Sequence, residues 1–324
     1  MLQPLAADLR DKRGGLGFDK LDYLVVSGDL TNRGKPGEFE AARQFISGII
    51  DQFRLTAERC IIVPGNHDLD WDQQVYRWSG RRPDDTRGIE KSKYVEQVKV
   101  LGVRDEDSYP TRFKNFSDHF YHPLVQQEYP LMVEQQCIPF FFPESGIQFI
   151  AMNSCWEIDE YFPERASIND VCLSHGLSAA EKQVEIATRN SHVPHDPLLL
   201  RIAVWHHPIT GNEKIGKDAF IERLRQAEVK ICLHGHIHEE RADVIAYFHT
   251  RKLHVAGAGS FGAPVYQRPE SVPRLYNVLE IPHDHSWIRV QTRSLRKNGG
   301  AWDGWAVWPS ESPDEKRTYY ELKL

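Results

Sequence analysis

Asn66, His67 and Asp68 follow one another directly behind the apolar run Ile61-Ile62-Val63 and the breakers Pro64 and Gly65. An amide offers a neutral oxygen ligand, and an imidazole offers a metal nitrogen or a transferable proton. Asn and Asp are also ordinary turn residues, so these three alone leave a turn and a site equally open. Three further stretches repeat the arrangement. Asp29 follows the run Leu24-Val25-Val26, His206 follows Leu198 to Trp205, and His236 and His238 follow Val229 to Leu233. A single histidine behind a strand is usually structural, but four such ends in one chain point to one cation-holding cleft. Oxygen and imidazole without thiolate suit Mn, Fe, Zn or Mg ions. On a regular strand His236 and His238 would face opposite ways, whereas a loop lets both turn inward.

These residues need elements that bring them to one edge. Residues 1–10 read as a helix with Leu2, Leu5, Ala6 and Leu9 on one face. Residues 21–26 read as a strand and 38–53 as an amphipathic helix carrying Phe39, Ala42, Phe45, Ile46, Ile49 and Phe53. Residues 60–63 form the next strand. Strand, helix and strand in that order predict a right-handed parallel unit, from which Asp29 and Asn66 leave the same sheet edge. Further strands are expected at 147–152, 198–205 and 229–233. A capping box, Ser178-Ala179-Ala180-Glu181, is expected to open a helix running to about Asn190, and another helix covers 218–226. Strands crowd the C-terminal third (244–248, 253–256, 275–281, 287–292 and 318–322), which implies partly antiparallel pairing there.

Residues 71–144 are rich in charge and aromatics with patchy helical patterning. They read as a helical and loop insertion over the site, either a substrate lid or an elaboration with its own small core. The domain expectation is therefore one unit over 1–281 containing that insertion, with 282–324 supplying strands packed on it. At 324 residues the chain is long enough for one large α/β domain. No apolar run reaches the roughly 18 residues of a membrane span. The first residues lack the basic-then-apolar pattern of a secretory signal. Five cysteines without a CxxC pair read as reduced, buried thiols and a cytoplasmic setting. A net charge of −6 disfavours broad nucleic-acid binding, although Arg81, Arg82, Arg87, Lys91 and Lys93 form a local basic cluster. No pattern sets an oligomeric state.

The stretches Gly28-Asp29-Leu30-Thr31-Asn32-Arg33-Gly34, Gly65-Asn66-His67-Asp68, His206-His207-Pro208 and Gly235-His236-Ile237-His238 resemble, in order, the motifs of the calcineurin-like metallophosphoesterase superfamily. The resemblance implies an α/β fold, a two-sheet β-sandwich flanked by helices, with two divalent metal ions at the strand ends. It implies that Asp29 bridges both metals, that Asn66, His206 and His236 complete one metal site, and that His238 belongs to the other. It further implies that His67 is the acid protonating the leaving oxygen and that Asp68 orients it. A bridging ligand must be anionic to offset the repulsion of two cations, which Asp29 satisfies and Asn66 does not. Arg33 has the planar fork to pair with a substrate phosphate. His207, next to a presumed ligand, is expected to contact substrate or support its neighbour. His234 reads as a strand-end hydrogen-bonding residue, Asn153-Ser154 as turn or pocket lining, and 257–262 as a tight turn near the site.

One family motif is missing. No aspartate in the sequence is followed two positions later by histidine, so the first strand and its Asp-x-His ligands are absent. The expectation is that the natural protein begins upstream of Met1, or else that a short form keeps one near-complete metal site. Loss of a central strand would also leave unpaired edges. The function expected is a metal-dependent phosphoesterase, on a phosphodiester small molecule or nucleotide. The alternatives are a noncatalytic regulatory module, or a nuclease or protein phosphatase of the same superfamily.

Overall fold

The computed structural model describes residues 1–79, 86–189, 198–210, 215, 218–248, 251–297, 299–312 and 314–324. Strand β1 (Leu24–Ser27) and strand β2 (Cys60–Val63) pair in parallel, Ser27 opposite Val63. Between them runs the helix Pro36–Phe53. Proline at its first position has the backbone angle a helix needs and no N–H to waste. The Glu38 carboxylate accepts N–H bonds from Arg33 (3.1 Å) and Lys35 (3.1 Å) at that end. Arg54, in the left-handed region at φ 55°, closes the other.

Two sheets make the sandwich. One has six strands in the order β10-β11-β9-β8-β7-β6, where β6 is Cys137–Phe142, β7 Ile147–Met152, β8 Leu200–Val204, β9 Val229–His234, β10 Arg241–Phe248 and β11 Arg251–Gly257. Its centre is parallel, from β7 through β8 and β9 to β11, and both outer pairs are antiparallel. The facing layer holds β1 and β2 together with an antiparallel group, in which β13 (Trp287–Leu295) lies between β12 (Arg274–Glu280) and the strand Tyr319–Lys323.

Alternation decides which residues go where. Ile61 and Val63 face the other sheet and pack with Phe149, Ile202, Val204, Ile231, Leu233 and Val290. Cys60 and Ile62 face the opposite way and pack under the helices Leu2–Arg10 and Pro36–Phe53. The far face of the six-stranded sheet is covered by the helices Asp170–Arg189 and Asp218–Gln226, through Leu173, Ala180, Phe220 and Leu224. The architecture is thus the expected sandwich flanked by helices.

The two β1-side strands differ in a telling way. All four residues of β2 are buried, whereas all four of β1 are only half-buried. Among the described residues β1 pairs with β2 alone, and β12 pairs with β13 alone. Among the described residues both strands therefore carry an open edge in the same layer. Helix Leu2–Arg10 is tied to this layer by a buried carboxylate. Asp8 accepts from Arg293 Nε (2.9 Å), from Arg293 Nη2 and from the Tyr276 hydroxyl.

Three expectations need correction. The segment 71–144 is not helix and loop throughout. It holds an antiparallel sheet of β3 (Tyr76–Ser79), β5 (Val100–Arg104) and β4 (Tyr94–Gln97), with β5 central. Its own small core joins Val75, Tyr76, Val95 and Tyr109. The later part is no lid either: Phe116, Phe120, Tyr121 and Tyr129 belong to the core beneath Pro36–Phe53, and Cys137–Phe142 is an edge strand of the main sheet. Finally, Ser178 does not open a helix. The helix begins at Asp170, because the Asn169 side chain already accepts the N–H groups of Val171 (3.1 Å) and Cys172 (3.0 Å).

Candidate metal centre

The strand registers deliver the site. Ser27 lies opposite Val63, so Gly28-Asp29 and Pro64-Gly65-Asn66 leave one end of the first layer together. Val204 lies opposite both Ala151 and Leu233, so Asn153-Ser154, His206 and Gly235-His236 leave the matching end of the other layer. A bond from Gly235 N–H to the His206 carbonyl (3.0 Å) holds the last two loops side by side. The approach of the loops after β1 and β2 requires glycine. A Cβ on Gly28, which sits at φ 93°, would meet Gly65 N at 2.6 Å, and one on Gly65 would meet Asp29 Cγ at 2.9 Å. Asp29 (φ 57°), His236 (φ 68°) and His238 (φ 46°) hold left-handed backbone, the kind of local strain that collects at functional loops.

Four polar atoms converge there. His206 Nε2 lies 3.2 Å from Asp29 Oδ2, 3.0 Å from Asn66 Oδ1 and 3.2 Å from His236 Nδ1, which is itself 3.2 Å from Asn66 Oδ1. The Ser27 carbonyl, 2.6 Å from His206 Nδ1, can only accept. Nδ1 therefore carries hydrogen, and in the neutral ring the lone pair of Nε2 points at the other three atoms. Carboxylate oxygen, amide oxygen and two imidazole nitrogens in one place are a donor set that fits a divalent cation. Without a cation, a proton serves. Burial works against a charged His206, but the Asp29 carboxylate and the Ser27 carbonyl outweigh it and raise its pKa. Burial likewise opposes the Asp29 charge, and His206 together with the N–H of His67 (3.1 Å) overcomes it and holds that carboxyl low.

The expected residues fall into two groups. Asp29, Asn66, His206 and His236 come together. The imidazoles with ring nitrogens within 4.8 Å of one another are His206, His207 and His236, and His238, expected at a second metal, follows two residues on, also in left-handed backbone. His67 stands at the rim, half-exposed, its Nδ1 donating to the Asn32 carbonyl (2.9 Å). Asp68 does not orient that ring. Its buried carboxylate instead accepts from Gly65 N–H (2.9 Å), Thr31 N–H (2.9 Å) and the Thr31 hydroxyl (3.1 Å), because the short helical turn 66–68 folds it back beneath the loop. Burial and the nearby Asp29 charge push its pKa up to about 6 against those bonds. Asp68 thus joins the Asp29 loop to the Asn66 loop.

Arg33 is exposed, beside the Asn32 carbonyl that holds His67, and its charge acts on Asp72. His234 is buried, its Nδ1 donating to the Gly235 carbonyl (2.9 Å), and burial lowers its pKa to about 4. The turn after β11 begins beside it, with Ala258 N–H donating to the His234 carbonyl (3.0 Å). In the basic cluster, Arg81 and Arg82 lie outside the described residues, while Lys93 pairs with Glu106 at 3.3 Å and Glu90 at 3.8 Å. Sequence reasoning read Ser154 only as turn or pocket lining and left the Ser27 carbonyl without a role. The position of Ser154 two residues past β7, beside strands ending in histidine, was the available signal.

A calcineurin-like phosphoesterase family model matches residues 5–240, and the chain belongs to that family. The family is metal-dependent, and membership supports a phosphoesterase-type function. Among curated proteins, the chain is similar to the uncharacterized metallophosphoesterase-like protein YydB of Bacillus subtilis (strain 168), at 20% identity over 255 residues. The match covers 78% of this chain and 48% of that protein, so the chain spans about half the length of this relative. Among solved structures it is similar to the purple acid phosphatase PPD1 of yellow lupin (12% identity, TM-score 0.47, 99% of this chain and 48% of that one). It is also similar to the phosphopantetheinyl hydrolase PptH of Mycobacterium tuberculosis (15% identity, TM-score 0.35, 83% and 88%). No helix among the described residues is long and apolar enough to cross a membrane.

Proposed function

We propose that this chain hydrolyses a phosphoester, a phosphodiester of a small molecule or nucleotide in preference to a nucleic acid, with Asp29, Asn66, His206 and His236 holding a divalent cation. The observation carrying this reading is the convergence of those four side chains on His206 Nε2, with His206 Nδ1 committed to the Ser27 carbonyl. A cation bound there would supply positive charge to the phosphoryl oxygens and acidify water. Asp29 contributes the anionic ligand, and Asn66 a neutral oxygen that leaves net positive charge for the substrate. The Asn32 carbonyl keeps a proton on His67 Nδ1. A protonated His67 therefore presents its second proton on Nε2, and gives it to the leaving oxygen.

The test is turnover of bis-p-nitrophenyl phosphate and p-nitrophenyl phosphate with Mn²⁺. Turnover favouring the diester and lost in Asn66→Ala and His236→Ala supports the reading. Turnover surviving both substitutions refutes it. A second reading, a noncatalytic module that binds cation, draws support from the sequence holding no aspartate followed two positions later by histidine. On either reading the chain as given holds one cation tightly, and two equivalents by elemental analysis after dialysis would overturn that. Absence of turnover with one tightly held equivalent favours the module.

A further inference from the structure

We infer that Ser154 is a positioning residue, which fixes His207 as a hydrogen-bond donor for a phosphoryl oxygen and keeps it from acting as a third imidazole ligand. The inference rests on the phosphoesterase reading only for the identity of that oxygen. The proton placement follows from the protein alone.

Ser154 is fully buried, two residues beyond β7. Its hydroxyl oxygen receives the main-chain N–H groups of His206 (3.3 Å) and His207 (3.1 Å). A hydroxyl oxygen has two acceptor sites and one hydrogen. Both acceptor sites are thereby filled, and the hydrogen remains for His207 Nδ1 at 2.9 Å. The other nearby acceptor is the Cys155 sulfur, a weak one whose own hydrogen goes to the Pro64 carbonyl (3.5 Å). His207 Nδ1 is therefore an acceptor, and in the neutral ring its hydrogen sits on Nε2.

This matters because the His207 ring is packed into the ligand cluster, with its centroid 4.6 Å from that of His236 and 4.9 Å from that of His206. By distance alone it would count as a ligand. The two neighbours His206 and His207 are instead given opposite tautomers. The Ser27 carbonyl puts hydrogen on Nδ1 of His206, and the Ser154 hydroxyl keeps it off Nδ1 of His207. His206 thus turns a lone pair toward the cation position and His207 turns an N–H toward the adjacent space. Coordination through His207 Nε2 would require Nδ1 to take the hydrogen, which would bring a third donor to the full Ser154 oxygen. Nε2–H has no partner among the described residues, as expected of a donor kept for a ligand.

The experiment uses the full chain with ¹⁵N-labelled histidine and long-range ¹H–¹⁵N correlation, without substrate and with and without Mn²⁺. The expected spectrum shows His207, assigned from the signals lost in His207→Gln, with a pyrrole-type Nε2 and a pyridine-type Nδ1 in both conditions. In Ser154→Ala that pattern is lost, and Ser154→Thr, which keeps the hydroxyl, restores it. The pattern unchanged in a folded Ser154→Ala, or an Nδ1–H signal in the wild-type chain, overturns the inference. His207→Gln separates donor from ligand. Its Mn²⁺ affinity is expected to stay within about threefold, against the 10–100-fold loss typical when a metal's support is removed. Its kcat on bis-p-nitrophenyl phosphate is expected to fall about 10²-fold, the usual loss of one oxyanion donor. A larger loss of Mn²⁺ affinity makes His207 a ligand and refutes the inference. If no phosphoester is turned over, the spectra still decide the role of Ser154, so the two readings fail separately.

Discussion

Gly65→Ala isolates the steric demand of the proposed cation site. Gly65 has φ −100° and ψ 178°, which alanine adopts without strain, so any effect comes from the added methyl. That methyl would lie 2.9 Å from Asp29 Cγ and closer still to Asp29 Oδ1 and N. Those atoms belong to a buried loop held by the His67 N–H bond, and they cannot swing aside as a surface side chain would. Overpacking of this kind costs about 1–3 kcal/mol of folding stability. A second loss follows, because Asp29 must move to make room. The wild-type chain in Mn²⁺ at 100 times its Kd gains about 2.7 kcal/mol over the chelated protein. A 10–100-fold weaker site at the same Mn²⁺ concentration gains only about 0.4–1.4 kcal/mol. Urea unfolding with EDTA and with Mn²⁺ reads both quantities. Gly37→Ala serves as control, since a Cβ there meets nothing within 4 Å and is expected to add about 0.5–1 kcal/mol. If Gly65→Ala keeps the full Mn²⁺-dependent gain, Asp29 is not a ligand held in place by this loop contact.

Two further outcomes concern stability. Asp8→Asn leaves the buried Arg293 without its counter-charge, and is expected to cost about 3–5 kcal/mol in urea unfolding; a change below 1 kcal/mol would mean that the pair adds little to the anchoring of the first helix. Burial holds His254 below its ordinary pKa, so the unfolded chain takes a proton near pH 6.5 that the native chain takes only at lower pH. Stability from this residue is complete above that value and declines as pH falls through it. The wild-type chain should therefore lose more unfolding free energy between pH 7.5 and 5.5 than His254→Gln does, and equal losses would remove His254 from the account.

The site was legible in sequence where a strand end fixes the next residue. Asp29, Asn66, His206 and His236 each follow a short apolar run, and parallel pairing then forces their loops to one edge. What happens two residues further on was not legible. Asp68 depends on a single helical turn that folds it beneath its own loop, a backbone choice not set by residue type alone. The helix starting at Asp170 shows the opposite problem. Ser178 and Glu181 have capping chemistry, but Asn169 had already capped that helix, so a valid local signal was overridden. The sheet β3-β5-β4 went unread because its strands are short and charged, and its pairing with Tyr161 and Phe162 comes from a distant loop.

The four converging side chains sit on loops that follow β1, β2, β8 and β9, and no two adjacent positions in the chain supply more than one of them. The pocket consequently needs both layers of the sandwich closed, and it is expected to form late in folding, because contacts between distant parts of the chain must first meet the cost of loop closure. A cation added during refolding should leave the folding rate almost unchanged and should slow unfolding instead. In the cell, the ion would then act as a latch on the finished protein, lengthening its lifetime without helping it to form.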